Sequence, residues 1–485
     1  MLFHGAHYIK QSARPLARGR GDGYNIAMFA VRSYMLDISR DKVPTMGTLK
    51  QLVDILARFD YNQFQLYTEH TFAYSAHKDV WEHASPLTPE EIRELDLYCV
   101  MRGIELVPNQ NCFGHLERWL TKPAYNHLAE LPQGGAPLPW GGFKKDPTTL
   151  CPTDPASLEF VAGLLDELLP NFGSRLVNIG CDETFDLLGN GRSAAAVKEK
   201  GEGRVYLDFL LKVADLARAR GKRPMFWGDI ILKHPELVGE LPKDMIALDW
   251  GYEGNHPFMD EAAKFHAAGL DFYVCPGTSS WNSLAGRVEN MRENMMAAEK
   301  AGHRYGAKGF MVTDWGDGGH WQPLAASLPG IILGGNLAYS GSSAGKMDLE
   351  DALDSVMGVP LGGILLRLGT LYLRGGALRG NASELFRILA NDHSYSRHPN
   401  LTDRVLVEVS ALAEHCRHEA AKYVRGAYPN VWAQEIMHMA NLIDAACNRR
   451  DMRRLQFLRE EHDRVWKLRN RPGGMDDSRE KLPRF

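Results

Sequence analysis

Eight short apolar segments, separated by stretches with helical spacing, restrict the fold of this chain more than any other feature. Most are rich in β-branched or aromatic residues and end in Asp, Glu, Asn, Trp or Pro, as buried parallel strands do. Strand followed by helix, eight times over about 300 residues, predicts a (β/α)8 barrel. The segments are Val31–Ile38, Gln63–Glu69, Ile104–Asn109, Leu176–Asp182, Pro224–Asp229, Met245–Trp250, Phe272–Pro276 and Gly309–Asp314.

A doubly wound open sheet is the competing architecture for such a pattern. It requires a glycine-rich phosphate-binding turn after the first strand. The residues at that point are Asp37-Ile38-Ser39-Arg40, which contain no glycine. The barrel is therefore the preferred fold.

The pattern divides the chain into three parts. We predict an N-terminal extension at residues 1–28, the barrel at residues 29–343 and a helical C-terminal region at residues 344–485. Beyond about Ser343, glycine and strand-like runs become sparse, and apolar residues recur with the spacing of a helix face. Two of these stripes are Val405, Val409, Leu412 and Cys416, and Trp432, Ile436, Met439 and Leu442.

Composition excludes several classes of partner. The formal net charge of −4 does not favour binding to nucleic acid or to an anionic membrane surface. No apolar run is long enough to cross a bilayer, and Met1–His7 lack the features of a secretion signal. Seven unpatterned cysteines argue against a disulfide framework and favour a reducing compartment. We therefore expect a cytoplasmic protein and leave a homo-oligomer open.

Polar residues follow most of the predicted strands at their carboxyl ends, where barrels place their active sites. The fourth strand ends in Asp182-Glu183, and adjacent carboxylates repel, which tends to raise one pKa. Such a pair can combine a proton donor with an ionised partner. A helix N-terminus, where acidic residues suit the dipole, explains the same two residues about equally well. The other polar residues include Glu69, His70, Asn109, Asn111, His115, Trp227, Asp229, Asp249, Trp250, Asp314, Trp315 and Asp317.

Four segments together resemble glycoside hydrolase family 20, the β-N-acetylhexosaminidases. Arg32–Arg40 is similar to that family's Arg-Gly-x-Met-Leu-Asp-x-Ser-Arg, and Ile179–Glu183 to its Ile-Gly-Gly-Asp-Glu. Phe113–His115 is similar to its Pro-Gly-His, and Trp315–Asp317 to its Trp-x-Glu. The chain departs from the family pattern at three places: Asn178 stands for His, Cys181 for Gly, and the second strand ends without a His-x-His-type run.

The resemblance implies an exo-acting, retaining β-N-acetylhexosaminidase that removes terminal GlcNAc or GalNAc from a glycan. In this family the 2-acetamido group of the substrate is the nucleophile, so neither a cofactor nor a metal is expected. By this resemblance Glu183 is the general acid and base, and Asp182 holds the acetamide N–H. His115 is expected to orient Asp182, although a structural histidine would fit as well.

The resemblance also implies a set of sugar contacts. Arg32 is expected to bind hydroxyls 3 and 4, although a salt bridge to Asp37, or equally to Asp182 or Asp229, would also explain it. Asp317 is expected to bind hydroxyls 4 and 6. A tyrosine, either Tyr273 or Tyr252, is expected to complete the acetamide clamp. The residues expected to wall the acetamide and stack on the sugar, each of which could instead be plain core, are Trp227, Trp250 and Trp315.

Two other functions remain as alternatives. A metal-dependent hydrolase on the same barrel would draw its ligands from His70, His115, Asp182 and Asp314. That class usually carries a His-x-His on an early strand, and none is present. A non-catalytic carbohydrate-binding barrel is the second alternative, and the intact Asp182-Glu183 pair argues against it.

Overall fold

A computed structural model of the chain describes residues 28–139, 141–341, 347–376, 380–390, 397–425, 429–448 and 451–483. Eight parallel strands close into a barrel in which each strand pairs with the next and the last pairs with the first. This confirms the predicted (β/α)8 fold. The strands are β1 Val31–Asp37, β2 Gln63–Thr68, β3 Glu105–Gln110, β4 Leu176–Asn178, β5 Arg223–Trp227, β6 Ile246–Trp250, β7 Asp271–Cys275 and β8 Gly309–Asp314.

All eight predicted segments overlap a barrel strand, and the largest difference lies at the fourth. We predicted a strand over Leu176–Asp182, but β4 ends at Asn178. Gly180 and Cys181 have φ angles of 68° and 71°, which a strand cannot accommodate. The apolar run therefore continues past the strand into a loop, because Ile179 and Cys181 are buried there as well.

The barrel is surrounded by helices, and some of them begin at a capping side chain that is visible in the sequence. Thr45 caps the first helix through its side chain, and Thr88 with Glu91 forms a capping box on the third. A short hairpin, Ala136–Pro137 with Phe143–Lys144, lies between β3 and α5. The helices are α1 Met46–Arg58, α2 Lys78–Trp81, α3 Pro89–Val100, α4 Glu117–Leu120, α5 Pro155–Leu168, α6 Ala194–Lys200, α7 Glu202–Ala219, α8 Asp229–Leu232, α9 Phe258–Ala267, α10 Val288–Tyr305 and α11 Leu328–Ser340.

The predicted helical C-terminal region is present. Its predicted stripes supply core residues, since Val409, Cys416, Ile436 and Met439 are fully buried. Residues 1–27 of the predicted extension and residues 342–346 at the predicted boundary lie outside the described part, so those limits stay predictions. The helices are α12 Leu349–Met357, α13 Gly362–Leu368, α14 Glu384–Leu389, α15 Asp403–Ala421, α16 Val431–Cys447, α17 Met452–Arg469 and α18 Met475–Lys481.

Buried polar contacts attach this region to the barrel. Arg469, at the end of α17, pairs with Glu435 and donates to Gln51 on α1 at 2.7 Å. Glu435 in turn accepts the backbone N–H of Ala325, near the end of the barrel sequence, at 3.1 Å. Breaking a buried ion pair is costly because it leaves an uncompensated charge. The helical region is therefore joined to both ends of the barrel sequence.

Among the described residues, no single helix is long and apolar enough to cross a membrane. One sharply bent pair, Leu349–Met357 with Gly362–Leu373, reaches that length and apolarity only when taken together.

Candidate active site

A cleft of about 1070 Å³ opens at the carboxyl ends of the barrel strands. Loops after several strands line it, and so do residues of the C-terminal region. Its lining therefore joins parts of the chain that lie far apart in sequence. The lining residues that matter below are Arg40, Glu69, His115, Glu183, Trp250, Tyr252, Glu253, His256, Asp317, Asn381 and Lys481.

The backbone between β4 and α6 brings Asp182 and Glu183 to the same side. Successive residues of a regular strand would face opposite ways, but Glu183 has a φ angle of 45°. As a result, carboxylate oxygens of Asp182 and Glu183 both lie 3.3 Å from Nε2 of His115. The side chain of Glu183 is 25% exposed and that of Asp182 only 7%. Glu183 thus reaches the cleft, while Asp182 lies behind it.

Two glycines allow this loop to pack. A Cβ at Gly180 would lie 2.5 Å from Oδ1 of Asn111, and a Cβ at Gly114 would lie 2.3 Å from the carbonyl oxygen of Asp182. Asn111 fixes the loop from below, because its Oδ1 accepts the N–H of Cys181 at 3.1 Å. The close approach of these two loops explains why both motifs contain glycine.

Asp182 and His115 hold each other in their charged forms. Burial alone would raise the pKa of Asp182, but His115 and a 2.7 Å hydrogen bond from Nδ2 of Asn111 outweigh it and lower that pKa. Burial alone would lower the pKa of His115, but Asp182 and Glu183 outweigh it and raise that pKa well above the usual range. The centre of the site is therefore an imidazolium that lies against the ionised Asp182 and 3.3 Å from the carboxyl group of Glu183.

A third carboxyl group, that of Asp229, lies directly behind the pair. It accepts the backbone N–H of Glu183 at 3.2 Å and the indole N–H of Trp250 at 3.4 Å. Burial, followed by repulsion from Asp182 and Glu183, raises the pKa of Asp229 to about 7. Asp229 thus positions the Glu183 backbone without adding a full negative charge near neutral pH.

Arg40 supplies the cleft with its central cation. Its guanidinium lies 2.8 Å from Glu69, 3.4 Å from Asp37 and 3.3 Å from Asp317. Glu69 also accepts the Tyr67 hydroxyl at 2.9 Å. Burial raises the pKa of Glu69 to about 7, although Arg40 acts in the opposite direction. Two edges of the guanidinium thus contact acidic partners at the mouth of the barrel.

The assignment of Arg32 to the sugar site is wrong. Arg32 is near the start of β1, where its side chain donates to the carbonyl oxygens of Asp60 at 2.5 Å and Phe29 at 2.9 Å. Asp37, at the end of β1, lies five residues further on, which is about 16 Å along a strand. Because all eight strands are parallel, only their carboxyl ends meet the cleft, and Arg40 rather than Arg32 pairs with Asp37. The salt bridge suggested for Arg32 is wrong for the same reason.

The aromatic residues form two layers. Trp250 and Tyr252 line the cleft and stack with ring centroids 5.2 Å apart. Below them, Trp315 donates its indole N–H to the Tyr252 hydroxyl at 2.7 Å, and Trp227 is fully buried 5.8 Å from Trp315. The predicted aromatic cluster is therefore assembled, with only its upper layer exposed to a ligand.

Of the two tyrosine candidates, the structure places Tyr252 at the cleft and not Tyr273. Tyr273 lies in β7 in register with Gly309, the first residue of β8. Its ring would collide with a Cβ at Gly309, at 2.7 Å. Tyr273 therefore fills the lower barrel, and its proposed contact with the substrate is wrong.

Other functional residues were missed because they come from the C-terminal region. The backbone N–H of Asn381 donates to Glu253 at 2.7 Å, and Asn381 accepts the indole N–H of Trp281 at 2.7 Å. Lys481 on α18 also lines the cleft. No local motif marks these residues. Arg40, in contrast, follows the end of the first predicted strand, which was a usable signal.

The ligand set suggested for a metal-dependent hydrolase does not converge. His70 lies 2.6 Å from Asp41. Asp314 accepts hydrogen bonds from the hydroxyls of Tyr34, Thr278 and Ser280. Within the described ranges, the residues whose donor atoms come close enough for one ion are instead Asp249, His256 and Glu261.

Comparison with known proteins links this geometry to one family. Residues 29–325 match the catalytic domain of glycosyl hydrolase family 20. The chain is 26% identical over 320 residues to Hexosaminidase D of Homo sapiens. This aligned stretch covers 62% of this chain and 63% of that protein. The chain is 23% identical over 305 residues to Hexosaminidase D of Bos taurus, covering 59% and 84%. The chain thus spans less than two thirds of the human relative.

A solved structure shares the fold at lower sequence identity. Chitobiase from Flavobacterium johnsoniae is 18% identical, with a TM-score of 0.54 over 93% of this chain and 78% of that one. At this identity the likeness concerns the architecture alone.

We expect Gly114→Ala to damage both stability and catalysis. The new Cβ would push on the Asp182 carbonyl, so unfolding should become easier by about 1–3 kcal/mol, as in other overpacked sites. A displacement near 1 Å at Asp182 should also lower kcat/KM roughly 100-fold. Gly163→Ala is the matched control, because Gly163 lies in α5 with nothing within 4 Å of its added Cβ. Urea unfolding and steady-state kinetics measure both effects; unchanged values for Gly114→Ala would contradict the packing argument.

Proposed function

This chain belongs to glycosyl hydrolase family 20, and from that premise we propose that it is an exo-acting, retaining β-N-acetylhexosaminidase. Its substrate is a glycan or glycoconjugate with a terminal N-acetylglucosamine or N-acetylgalactosamine. The observation that carries the proposal is the different environment of the two acids: Glu183 lies in the cleft, and Asp182 is buried against His115. A merely carbohydrate-binding barrel would not need this arrangement.

Two steps account for hydrolysis with retention. In the first, the acetamide carbonyl oxygen of the substrate attacks the anomeric carbon, the glycosidic bond breaks, and Glu183 protonates the departing oxygen. In the second, Glu183 removes a proton from water, which opens the oxazolinium ion at the anomeric carbon. Asp182 accepts the acetamide N–H and stabilises the positive charge that develops on the acetamide. The lowered pKa of Asp182 suits this role, because it keeps the carboxylate ionised.

The remaining cleft residues bind the sugar in this proposal. The Arg40 fork bridges adjacent hydroxyls, and Asp317, which lies 3.3 Å from it, accepts from hydroxyls 4 and 6. Trp250 stacks on the sugar, and Tyr252 donates to the acetamide oxygen. Trp315 contributes indirectly by fixing the Tyr252 hydroxyl.

A reducing compartment is part of the same proposal. All seven cysteines, each within the described residues, are free thiols, and all but Cys447 are buried. Buried thiols are inert, and no disulfide among them is required for the fold. We place the protein in the cytoplasm on this basis.

The substrate acetamide should be indispensable. Aryl glycosides of N-acetylglucosamine and N-acetylgalactosamine, assayed side by side, should be hydrolysed, whereas the matching glucoside and galactoside should not. A thiazoline that mimics the oxazolinium should inhibit far more tightly than free N-acetyl sugar. Trapping of a covalent glycosyl-enzyme by a 2-fluoro sugar would instead assign the nucleophile to the protein.

Glu183→Gln should affect substrates according to their leaving group. For a sugar or alkyl leaving group, which needs protonation, kcat should fall roughly 100-fold or more. A nitrophenyl group leaves with less help, so its loss should be smaller. Steady-state kinetics on both substrates test this, and equal losses would count against Glu183 as the acid.

Arg40→Lys and Arg32→Lys form a matched pair of variants. A lysine cannot reproduce the fork of Arg40, so kcat/KM should fall by the equivalent of about 2–3 kcal/mol of transition-state binding. Arg32→Lys should lower the melting temperature and leave kcat/KM unchanged, because Arg32 contacts only the lower rim. Kinetics and thermal unfolding on the same preparations distinguish the two, and the opposite pattern would restore the sugar-binding role to Arg32.

A further inference from the structure

Asp249 is a buried carboxyl group on the outer face of β6. The neighbouring Leu248 belongs to the barrel interior, and strand alternation directs Asp249 outward against α9. Asp249 is 0% exposed, and neither of its carboxylate oxygens accepts a hydrogen bond from an N–H or O–H group in the described part of the chain. Buried carboxylates are normally paired with a donor or a cation.

Two further ligand groups converge on Asp249. Glu261 projects from α9, and His256 precedes that helix, with its Nε2 lying 2.8 Å from the Glu261 carboxylate. One donor atom from each of the three residues lies within 4.8 Å of the other two. Ligands of a single ion have separations of this size, given metal–ligand distances near 2.0–2.5 Å.

The backbone is shaped to seat the imidazole. A Cβ at Gly251 would lie 2.2 Å from the His256 ring, so only glycine leaves room for it. The backbone N–H of His256 donates to the carbonyl of Glu253 at 3.0 Å, which closes a short turn. His256 also lines the cleft, which gives a route from solvent to the three groups.

The local charge balance favours a cation. Asp249 and Glu261 are two acidic side chains whose donor oxygens lie within 4.8 Å of each other. Lys264 on α9 is a basic residue that also acts on the carboxyl groups of Asp249 and Glu261, but its side chain is exposed to solvent. A divalent ion would neutralise both carboxylates at once.

We propose that Asp249, His256 and Glu261 bind a first-row divalent transition metal ion such as Zn²⁺ or Mn²⁺. One imidazole nitrogen with two carboxylates suits these ions, whereas Mg²⁺ and Ca²⁺ prefer oxygen ligands alone. Three protein ligands leave further coordination positions for water. The site is distinct from the acid pair and takes no part in the proposed hydrolysis.

The position of the site indicates a structural role. Trp250 at the end of β6, and Tyr252 and Glu253 in the segment between β6 and α9, all line the cleft. An ion shared between β6, this segment and α9 would hold the segment at both ends. Metal binding should therefore stabilise the fold and the shape of the aromatic wall, with no change in the chemistry at Glu183.

Metal titration of the full chain tests the proposal without relying on activity. Chelator-treated protein should bind one equivalent of Zn²⁺ by calorimetry, and Co²⁺ should give a visible absorption band of the protein-bound ion. At a free Zn²⁺ concentration about 100-fold above the Kd, Tm should rise by roughly 2–3 °C. His256→Gln, Glu261→Gln and Asp249→Asn should each abolish binding. His266→Gln and Asp260→Asn, on the same helix, are the matched controls and should bind normally.

Three results would overturn the proposal. The first is no saturable binding of Zn²⁺, Mn²⁺ or Co²⁺ by the unaltered protein, and the second is equal binding by all five variants. The third is a combination of two findings: the Asp249→Asn variant is more stable than the unaltered protein, and the Tm of the unaltered protein does not depend on metal. That result would assign a shared proton to the two carboxyl groups. If Asp249→Asn does not fold, the partly exposed His256→Gln decides.

Discussion

The site depends on the close approach of the loops that follow β3 and β4. Asn111 binds the Cys181 backbone and the Asp182 carboxylate at once, while Gly114 leaves no side chain against the Asp182 carbonyl. These contacts hold a backbone with positive φ angles at Gly180, Cys181 and Glu183, a conformation that costs free energy for residues other than glycine. This backbone conformation turns the two neighbouring carboxyl groups, those of Asp182 and Glu183, toward one histidine, His115.

Crowding of acidic groups is possible because each has a different partner. Asp182 is compensated by His115 and Asn111, Glu69 by Arg40, and Asp229 by a pKa raised to about 7. Glu183, in contrast, keeps a quarter of its side chain exposed, and apart from its backbone N–H it is held through a 3.3 Å contact with His115. The group proposed to carry the proton is thus the one with the freedom to meet a ligand, and the others form a fixed electrostatic frame around it.

The sequence predicted the barrel well because eight buried strands leave a strong local signal. Glu183 and Asp317, which follow the carboxyl ends of predicted strands, line the cleft, and Asp182 lies behind Glu183. Arg32 and Tyr273 were wrong because motif likeness was given more weight than position along the strand, whereas Arg40 and Tyr252 satisfy the positional rule. Asn381 and Lys481 could not be predicted at all, because only tertiary packing brings α14 and α18 to the barrel.

The contribution of α18 to the cleft also bears on the order of events during synthesis. Lys481 follows Asp317 by about 160 residues, yet both side chains line the same cavity. Ribosomes add roughly 5–20 residues per second. Roughly 10–30 s therefore separate the synthesis of Asp317, when the acid pair and Arg40 have already been made, from the synthesis of Lys481. Until Lys481 has been made, the chain lacks the part of the cleft wall that α18 supplies.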